Sequence, residues 1–470
     1  MCHQRVSEKS PSLSLQFASS LLKCSRAPLS EAARRNAAIL LADFLACVRA
    51  GEGRPGCPAT TWVDLGKVLR AGGSSDFGGS GDSVVGAASA ADSLAAAAAA
   101  ASHALDRDDI HWDAVAHPGS VVWPVVLGLS GRATGPELLA AAVAGYEACV
   151  RMARFLGPQH RRWFHSTATA GTIGAATAAA MLLCADDEAL ANTLGHAVSV
   201  IGGSAQAVGE HSGTQVFHRY HAVRSGIAAA RAAAGGLPAT RFGFEGAAGL
   251  LAGPEPPARE REALFDDRPP AIETTSVRLY AAAGWNQAAA AAAAAQPRSA
   301  LSGDLKAEVH VHPTAAGVSS GPAARGRDRW WSLEWSVATA LVTGDPQACP
   351  ECPVTDEALR ERLASATVVV GDQPSPLSAS VSVSAAGRPA STTTVSCPAG
   401  HYRNPASHEQ LAAKWSCMQP AGQWAAATAL EAICADVLAT AGAAAGRLSA
   451  LLWMADEGDK ASSLREGWSS

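Results

Sequence analysis

The stretch HALDRDDIHWDAVAHP, residues 103–118, gathers four aspartates and three histidines in a chain that is only 17% charged. Titratable side chains lose favourable hydration when they are buried, unless they face a wet cleft or one another. This density of carboxylates and imidazoles therefore predicts a functional site. The alternative interpretation is a solvated loop between two helices, and the stretch alone leaves that alternative open.

Helices are predicted on both sides of this stretch. Apolar residues recur there at the three- and four-residue spacing of a helix that buries one face, and alanine is abundant. His117-Pro118-Gly119 interrupts the pattern, and Gly135-Pro136-Glu137 opens another helix. The predicted helices cover residues 13–22, 30–50, 84–101, 121–129, 135–150, a segment that begins at 166, and 225–235.

The chain is long enough to need two domains, because 470 residues exceed what one hydrophobic core usually serves. A charged, proline-rich segment at residues 253–270 is typical of an interdomain connection. Beyond it, alternating polar and apolar residues predict strands at 306–312, 367–370, 379–385 and 392–396, with a turn at Gly387-Arg388-Pro389. Further helices are predicted at residues 285–295, 333–341 and 356–364.

The predicted fold class is therefore mostly α, in two domains of unequal size. The larger is an all-α helical domain that is discontinuous in sequence, made of residues 1–268 plus 405–470. The smaller is an α+β lid domain of residues 269–404. Ligand sites often form where two such domains meet.

Composition argues against several classes of protein. The formal net charge is −5 and no long run of Lys or Arg occurs, so no nucleic-acid partner is expected. Asp92 interrupts the alanine-rich segment at residues 84–101, so no membrane span is expected there. Eleven cysteines form no disulfide framework, which favours reduced thiols and a cytoplasmic location. The basic, serine-rich first residues leave import into an organelle open.

Histidines elsewhere in the chain are further candidate functional residues. His165 directly precedes Ser166 and Thr167, either of which is suited to cap the next helix, so the imidazole is placed at a helix entrance. An equally acceptable alternative is that His165 is a surface histidine whose hydrogen bonds are all made, with no functional role.

The segment EHSGTQVFHRYHAVR, residues 210–224, holds further histidines and arginines. It lacks the spacing of a zinc site, so we interpret it as an anion-binding cluster and predict no metal.

Five segments in order resemble the MmgE/PrpD family of 2-methylcitrate dehydratases and cis-aconitate decarboxylases. They are HALDRDDIHWDAVAHPGS (103–120), GYEACVRM (145–152), WFHSTATAGTIGAA (163–176), HRYHAVRSG (218–226) and GHYRNPASHEQLAAKW (400–415). The resemblance implies a helical domain with a smaller α+β lid, a homodimer, and no metal or organic cofactor. It also implies elimination chemistry on a small di- or tricarboxylate, with an epimerase branch.

The resemblance assigns catalytic roles residue by residue. The family's catalytic aspartate corresponds to Asp106, and its paired histidines correspond to His117 and His165. A family lysine is replaced by His218, which we include among the catalytic candidates because imidazole still transfers protons near neutral pH.

The resemblance also assigns substrate-binding residues, some of them exchanged. Arg219 and His221 are retained, whereas Ile110 replaces a threonine and Trp335 replaces a lid tyrosine. Arg278 replaces the lysine of a motif whose tyrosine is kept as Tyr280. Arginine keeps the positive charge but is a very poor acid or base. A triacid of the citrate type is therefore in doubt as the substrate.

The sequence predicts a cofactor-independent lyase, of dehydratase or decarboxylase type, acting on a small hydroxy- or unsaturated carboxylic acid. A histidine would remove a proton alpha to a carboxylate, and Asp106 would orient a histidine. Two alternatives stay open: an epimerase or isomerase of a small dicarboxylate that uses the same bases, and a non-catalytic relative.

Overall fold

A computed structural model describes residues 11–52, 90–184, 186–210, 212–245, 261–265, 268–297, 305–321, 329–350, 353–385, 388–418 and 427–442. The fold is mostly α with one small four-stranded sheet among the described residues. The chain separates into two compact units: Met1–Thr275 with Met418–Ser470, and Ser276–Cys417. Residues 53–89, which include the start of the helix predicted at 84–101, and most of the predicted connection at 253–270 lie outside the described residues.

The first unit is helical throughout its described part. Side-chain caps start several of its helices, for example Ser12, Ser30 and Asp186, and Thr134 forms a reciprocal capping box with Glu137. Its helices are α1 (Leu13–Arg26), α2 (Glu31–Gly51), α3 (Ala90–His103), α4 (Gly119–Gly128), α5 (Gly135–His160), α6 (Ser166–Leu183), α7 (Asp187–Val198), α8 (Gln206–Gly209), α9 (Thr214–Ala234), α10 (Ala271–Thr274) and, from the C-terminal segment, α16 (Leu430–Ala439).

The helix α6 is the centre of this unit and packs against both α5 and α9. Small residues allow the close approach: a Cβ on Gly226 of α9 would lie 2.6 Å from the backbone nitrogen of Ala176 in α6. Within the described residues α6 is the one helix long and apolar enough to cross a membrane, but 83% of it is buried inside the unit. It is thus a core helix of the packed first unit.

The helix α9 begins earlier than the sequence indicates. We predicted a helix at residues 225–235, whereas α9 runs from Thr214 to Ala234. Most of the polar segment that we interpreted as an anion-binding cluster is therefore helical. His218 and Arg219 are buried on α9, although the apolar spacing that signals a core-facing helix is weak at this point.

The second unit contains the sheet, with strand order β2-β1-β3-β4. The strands are β1 (Leu305–Val311), β2 (Val368–Gly371), β3 (Ala379–Ala385) and β4 (Arg388–Val395). β1 pairs in parallel with β2 and antiparallel with β3, and β3 pairs antiparallel with β4. The accompanying helices are α11 (Gln287–Ala294), α12 (Pro313–Ser319), α13 (Leu333–Thr343), α14 (Glu357–Ala366) and α15 (His408–Cys417).

The turn predicted at Gly387-Arg388-Pro389 was placed too late in the chain: β3 ends at Ala385, which pairs with Arg388, so Arg388 and Pro389 already belong to β4. A proline breaks a strand prediction because it has no N–H to donate to a neighbouring strand. β4 is an edge strand, where one side of the backbone needs no partner strand, so the sheet accommodates Pro389.

Candidate active site

The turn that follows α3 places a histidine between two carboxylates. His103 Nδ1 donates a hydrogen bond to Asp108 Oδ1 over 2.8 Å, and Asp106 Oδ1 lies 3.8 Å from the same nitrogen. All three side chains are buried. Asp106 has a φ of 48°, in the left-handed region that few residues other than glycine adopt. The turn therefore holds Asp106 in a strained conformation, as is common at functional sites.

Asp109, the next residue after Asp108, anchors the following helix. Its carboxylate accepts hydrogen bonds from the Tyr146 hydroxyl over 2.9 Å and from the Gly119 N–H over 2.9 and 3.0 Å. Gly119 must be glycine, because a Cβ there would lie 2.6 Å from both Asp109 Oδ2 and the Tyr146 oxygen. Burial, followed by the charge of Asp108, raises the pKa of Asp109 to about 8.

His117 is held in one tautomer by the backbone. Its Nδ1 lies 2.6 Å from the carbonyl oxygen of Asp109, which can only accept, so Nδ1 carries the proton and Nε2 of the neutral ring is bare. Its backbone N–H donates to the Thr167 hydroxyl over 3.1 Å, which ties this loop to α6. The ring centroid lies 5.6 Å from that of His103. His117 Nε2 is therefore prepared to accept a proton.

His165 and His218 meet side by side. Their Nδ1 atoms lie 3.0 Å apart, and their ring centroids 5.2 Å apart. His165 is the N-cap residue of α6, and its backbone N–H donates to the Gly203 carbonyl over 2.9 Å. Gly203 has a φ of 121°, and a Cβ there would lie 2.4 Å from the Ala168 Cβ and 3.3 Å from His218 Nε2. Glycine at this position thus leaves room for the His218 ring, while its carbonyl binds the backbone of His165.

A buried positive charge keeps these rings neutral. Arg219 has no exposed surface, and its Nη1 donates to the Gln215 carbonyl over 2.9 Å. Burial and then Arg219 lower the pKa of His165 well below its usual range, and lower the pKa of His218 to about 4. The same two causes lower the pKa of His103. At neutral pH the three imidazoles are therefore uncharged and able to act as bases.

The predicted catalytic residues thus come together in the first unit. His117, His103, His218 and Arg219 all act electrostatically on His165, although they come from separate parts of the chain. Asp106 lies beside His103, whose hydrogen bond goes to Asp108 instead. The arrangement can therefore accept and donate protons at several neighbouring nitrogen atoms.

Three side chains in this site could serve as ligands of a small cation. One atom from each of His103, Asp106 and Asp108 lies within 4.8 Å of the others. The direct hydrogen bond between His103 and Asp108 satisfies two of these groups without a cation.

The predicted substrate-binding residues are divided between the two units. Ile110 and Arg219 are buried in the first unit, whereas His221 is exposed on α9, where its ring centroid lies 6.2 Å from that of Phe217. The other three belong to the second unit: Arg278, Tyr280 and Trp335.

Each of the residues in the second unit is buried there. Arg278 is 2% exposed, and the backbone of Tyr280 exchanges hydrogen bonds with the Gln287 side chain. Trp335 joins the apolar core of this unit, and the Arg329 guanidinium lies 3.9 Å from its ring centroid. A role of these three residues toward substrate stays a prediction.

Sequence reasoning missed several residues that build the site. His103 and Asp108 were quoted only as part of the charged stretch, yet they form its direct carboxylate–imidazole pair. Gly203 lies in no polar motif, so only its backbone geometry reveals its part. Tyr146 gave a signal, since a tyrosine inside an apolar helix needs a partner for its hydroxyl, and that partner is Asp109.

Comparison with known proteins identifies the family. No curated protein matches the chain. A model of the MmgE/PrpD N-terminal domain matches residues 15–258, which cover more than half of the 470 residues and include the whole histidine site described above. The chain therefore belongs to the MmgE/PrpD family.

Proposed function

We propose that the protein is a cofactor-independent lyase that removes water or carbon dioxide from a small hydroxy- or unsaturated carboxylic acid. Membership in the MmgE/PrpD family indicates dehydratase-like lyase activity at the level of the family. The observation that carries the proposal for this chain is the fixed tautomer of His117. Its Nδ1 donates to a backbone carbonyl, so the neutral ring offers Nε2 as a base.

The reaction begins with removal of a proton alpha to a substrate carboxylate. His117 Nε2 takes this proton in our proposal, and the negative charge that develops on the carboxylate is stabilised by the buried charge of Arg219. Asp108 orients His103, and Asp106 lies beside it. The proton for the leaving hydroxide comes from the pair of His165 and His218, in which one of the two neutral rings carries its proton on Nε2. General acid or base catalysis of this kind contributes about 10²–10⁴-fold in rate.

The charge of the site limits the substrate. The imidazoles of His165 and His218 are neutral at pH 7, since burial and Arg219 lower the pKa of both rings. A lysine at position 218 would add a positive charge there. We therefore expect a substrate with fewer carboxylates than a citrate-type triacid. A cytoplasmic homodimer is part of the same proposal.

The test is turnover of a panel of small acids by the full chain. Hydroxy and unsaturated mono-, di- and tricarboxylic acids are incubated with the protein in D₂O and followed by proton NMR. New vinyl signals indicate loss of water, and captured carbon dioxide indicates decarboxylation. Deuterium at the alpha carbon without either product would point to the epimerase alternative.

Two variants make the test specific. His117→Gln should lower kcat at least 100-fold, because the base is lost. His310→Gln is the matched control, since His310 lies on β1 of the second unit between Glu308 and Asp372. Its kcat should match that of the natural protein. Equal turnover by His117→Gln, or no turnover of any acid by the natural protein, would contradict the proposal.

A further inference from the structure

The imidazole pair of His165 and His218 has a property that neither ring has alone. Its two Nδ1 atoms lie 3.0 Å apart, a distance typical of a hydrogen bond. A nitrogen–nitrogen hydrogen bond contains a single proton, carried by one atom and accepted by the other. Two neutral rings joined in this way must therefore adopt opposite tautomers. One has its proton on Nδ1 and a bare Nε2, and the other has a bare Nδ1 and an Nε2–H.

We propose that His165 and His218 form a proton-relay dyad, which takes up the proton from His117 at one bare Nε2 and delivers a proton to the leaving hydroxide from one Nε2–H. The inference rests on the proposed lyase function and adds a route for the protons. In the described part of the chain, the bond between the two rings is the only side-chain hydrogen bond of either imidazole. Each Nε2 atom can therefore exchange a proton with a group outside the pair.

In the loss of water, His117 Nε2 takes the proton from the alpha carbon while the carbon–carbon double bond forms. His117 then passes this proton to the bare Nε2 of the first ring of the dyad and is neutral again. The Nδ1 proton of that ring passes to Nδ1 of the second ring, and the Nε2 proton of the second ring joins the departing hydroxide to give water. The dyad is neutral before and after, but its tautomers are exchanged. Proton exchange with water, or the reverse hydration, restores them.

The surroundings keep the two rings in this arrangement. Both are nearly buried, with 9% exposure for His165 and 7% for His218. The backbone N–H of His165 donates to the Gly203 carbonyl, and the lack of a Cβ at Gly203 leaves room for His218, whose Nε2 would lie 3.3 Å from that Cβ. The guanidinium of Arg219 and three titratable imidazoles, those of His103, His117 and His221, act electrostatically on the pair. Only if both rings were protonated to the cationic form would both Nδ1 atoms become donors and the bond between them break.

The dyad depends on the histidine at position 218. In the family block that this segment resembles, a lysine stands there. An ammonium group has three donors and no acceptor, so it cannot accept the proton that His165 would pass on. The relay is thus a consequence of this chain's own sequence.

The test is NMR of the full chain with ¹⁵N-labelled histidine at pH 7. The ring-nitrogen shifts distinguish the two tautomers, and a scalar coupling between two nitrogens reports a hydrogen bond between them. We expect one Nδ1–H ring and one Nε2–H ring, coupled through their Nδ1 atoms. Both sets of signals should change in His165→Gln and in His218→Gln, and neither should change in His310→Gln.

Two identical tautomers, or no nitrogen–nitrogen coupling, would overturn the dyad. The coupling is measured in the natural protein, so the test stands even if one of the variants fails to fold. Turnover that depends on His117, in a protein without the coupling, would overturn the dyad and leave the lyase proposal intact. A coupled pair in a protein that turns over no acid would support the dyad and overturn the lyase proposal.

Discussion

The hydrogen bond from His117 Nδ1 to the Asp109 carbonyl illustrates how single residues define this site. A histidine has two ring nitrogens, and its chemistry depends on which of them carries the proton. Backbone oxygen fixes the tautomer of His117, the Asp108 carboxylate binds His103, and another imidazole binds His165. Three different acceptors thus prepare three histidines for proton transfer.

Asp108 should act through His103. Asp108→Asn removes the negative charge beside His103 Nδ1 and weakens the hydrogen bond that orients the ring. Because small misplacements of catalytic groups cost up to about 100-fold in rate, we expect kcat to fall by about 10- to 100-fold. KM should change little, since substrate binding is not altered. The measurement is steady-state kinetics, and an unchanged kcat would show that His103 needs no carboxylate.

Ionisation of the buried carboxyl group of Asp109 should make the protein less stable as the pH rises toward 8. The pKa of Asp109 in the folded chain is about 8, against an ordinary value of 3.8, because the carboxyl is buried. Between these values the folded state holds a proton that the unfolded state has lost, so the free energy of unfolding falls as the pH rises. The expected slope is about 1.4 kcal/mol per pH unit.

Urea unfolding at pH 6.5 and pH 8 measures this slope. Asp109→Asn cannot ionise, so the decrease between the two pH values should be smaller in this variant. Asp113→Asn serves as the control, because the Asp113 side chain is 65% exposed, and it should keep the slope of the natural protein. Equal slopes in all three proteins would contradict the assignment.

At the scale of helices and strands, the apolar pattern predicted those elements that have one simple buried face. Helix α2 and strand β3 lie where the pattern placed them. Helix α9 was predicted too short, because its first half buries His218 and Arg219 instead of apolar side chains. A polar site on a helix removes the very periodicity that would reveal the helix. The bond between His165 and His218 joins residues 53 positions apart, which spacing cannot predict.

Close packing of α6 against α9 should be essential to the site. A Cβ on Gly226 would lie 2.6 Å from Ala176 N and 2.8 Å from Ala175 Cβ, so Gly226→Ala must push the helices apart. We expect a loss of about 1–3 kcal/mol in the free energy of unfolding, and weaker coupling between His165 and His218.

Gly209→Ala is the matched control for this variant. No atom lies within 4 Å of the position that its Cβ would take. Its stability should be unchanged or slightly higher, because alanine favours helix more than glycine does. Urea unfolding compares the two variants with the natural protein. A Gly226→Ala protein as stable as Gly209→Ala would refute the packing claim.

At the scale of the whole molecule, the first unit buries several neutral histidines. Burial lowers the pKa of His111 to about 3, and burial with Arg219 lowers that of His218 to about 4. Below pH 6.5 the unfolded chain binds protons at these rings that the folded chain does not bind. The contribution of these neutral rings to stability is therefore complete above pH 6.5 and is lost as the pH falls toward 4.

This acid sensitivity is measurable by urea unfolding at pH 7 and pH 5. Each such histidine contributes up to about 1.4 kcal/mol per pH unit, and Asp109 opposes the trend, offsetting about one histidine. His218→Gln should reduce the loss of stability between the two pH values. His310→Gln should not, because its carboxylate partners raise the pKa of His310, which favours the folded state in acid. The same acid sensitivity in His218→Gln as in the natural protein would contradict this account.

The central claim is that one pocket of the first unit gathers His103, His117, His165 and His218 around a small carboxylate. The most direct measurement is ¹⁵N NMR of the labelled histidine rings during titration with malonate, a small dicarboxylate probe. We predict that the four rings shift together with a single Kd, and that His310 does not shift. Separate Kd values for the four rings, or shifts at His310 alone, would contradict the claim.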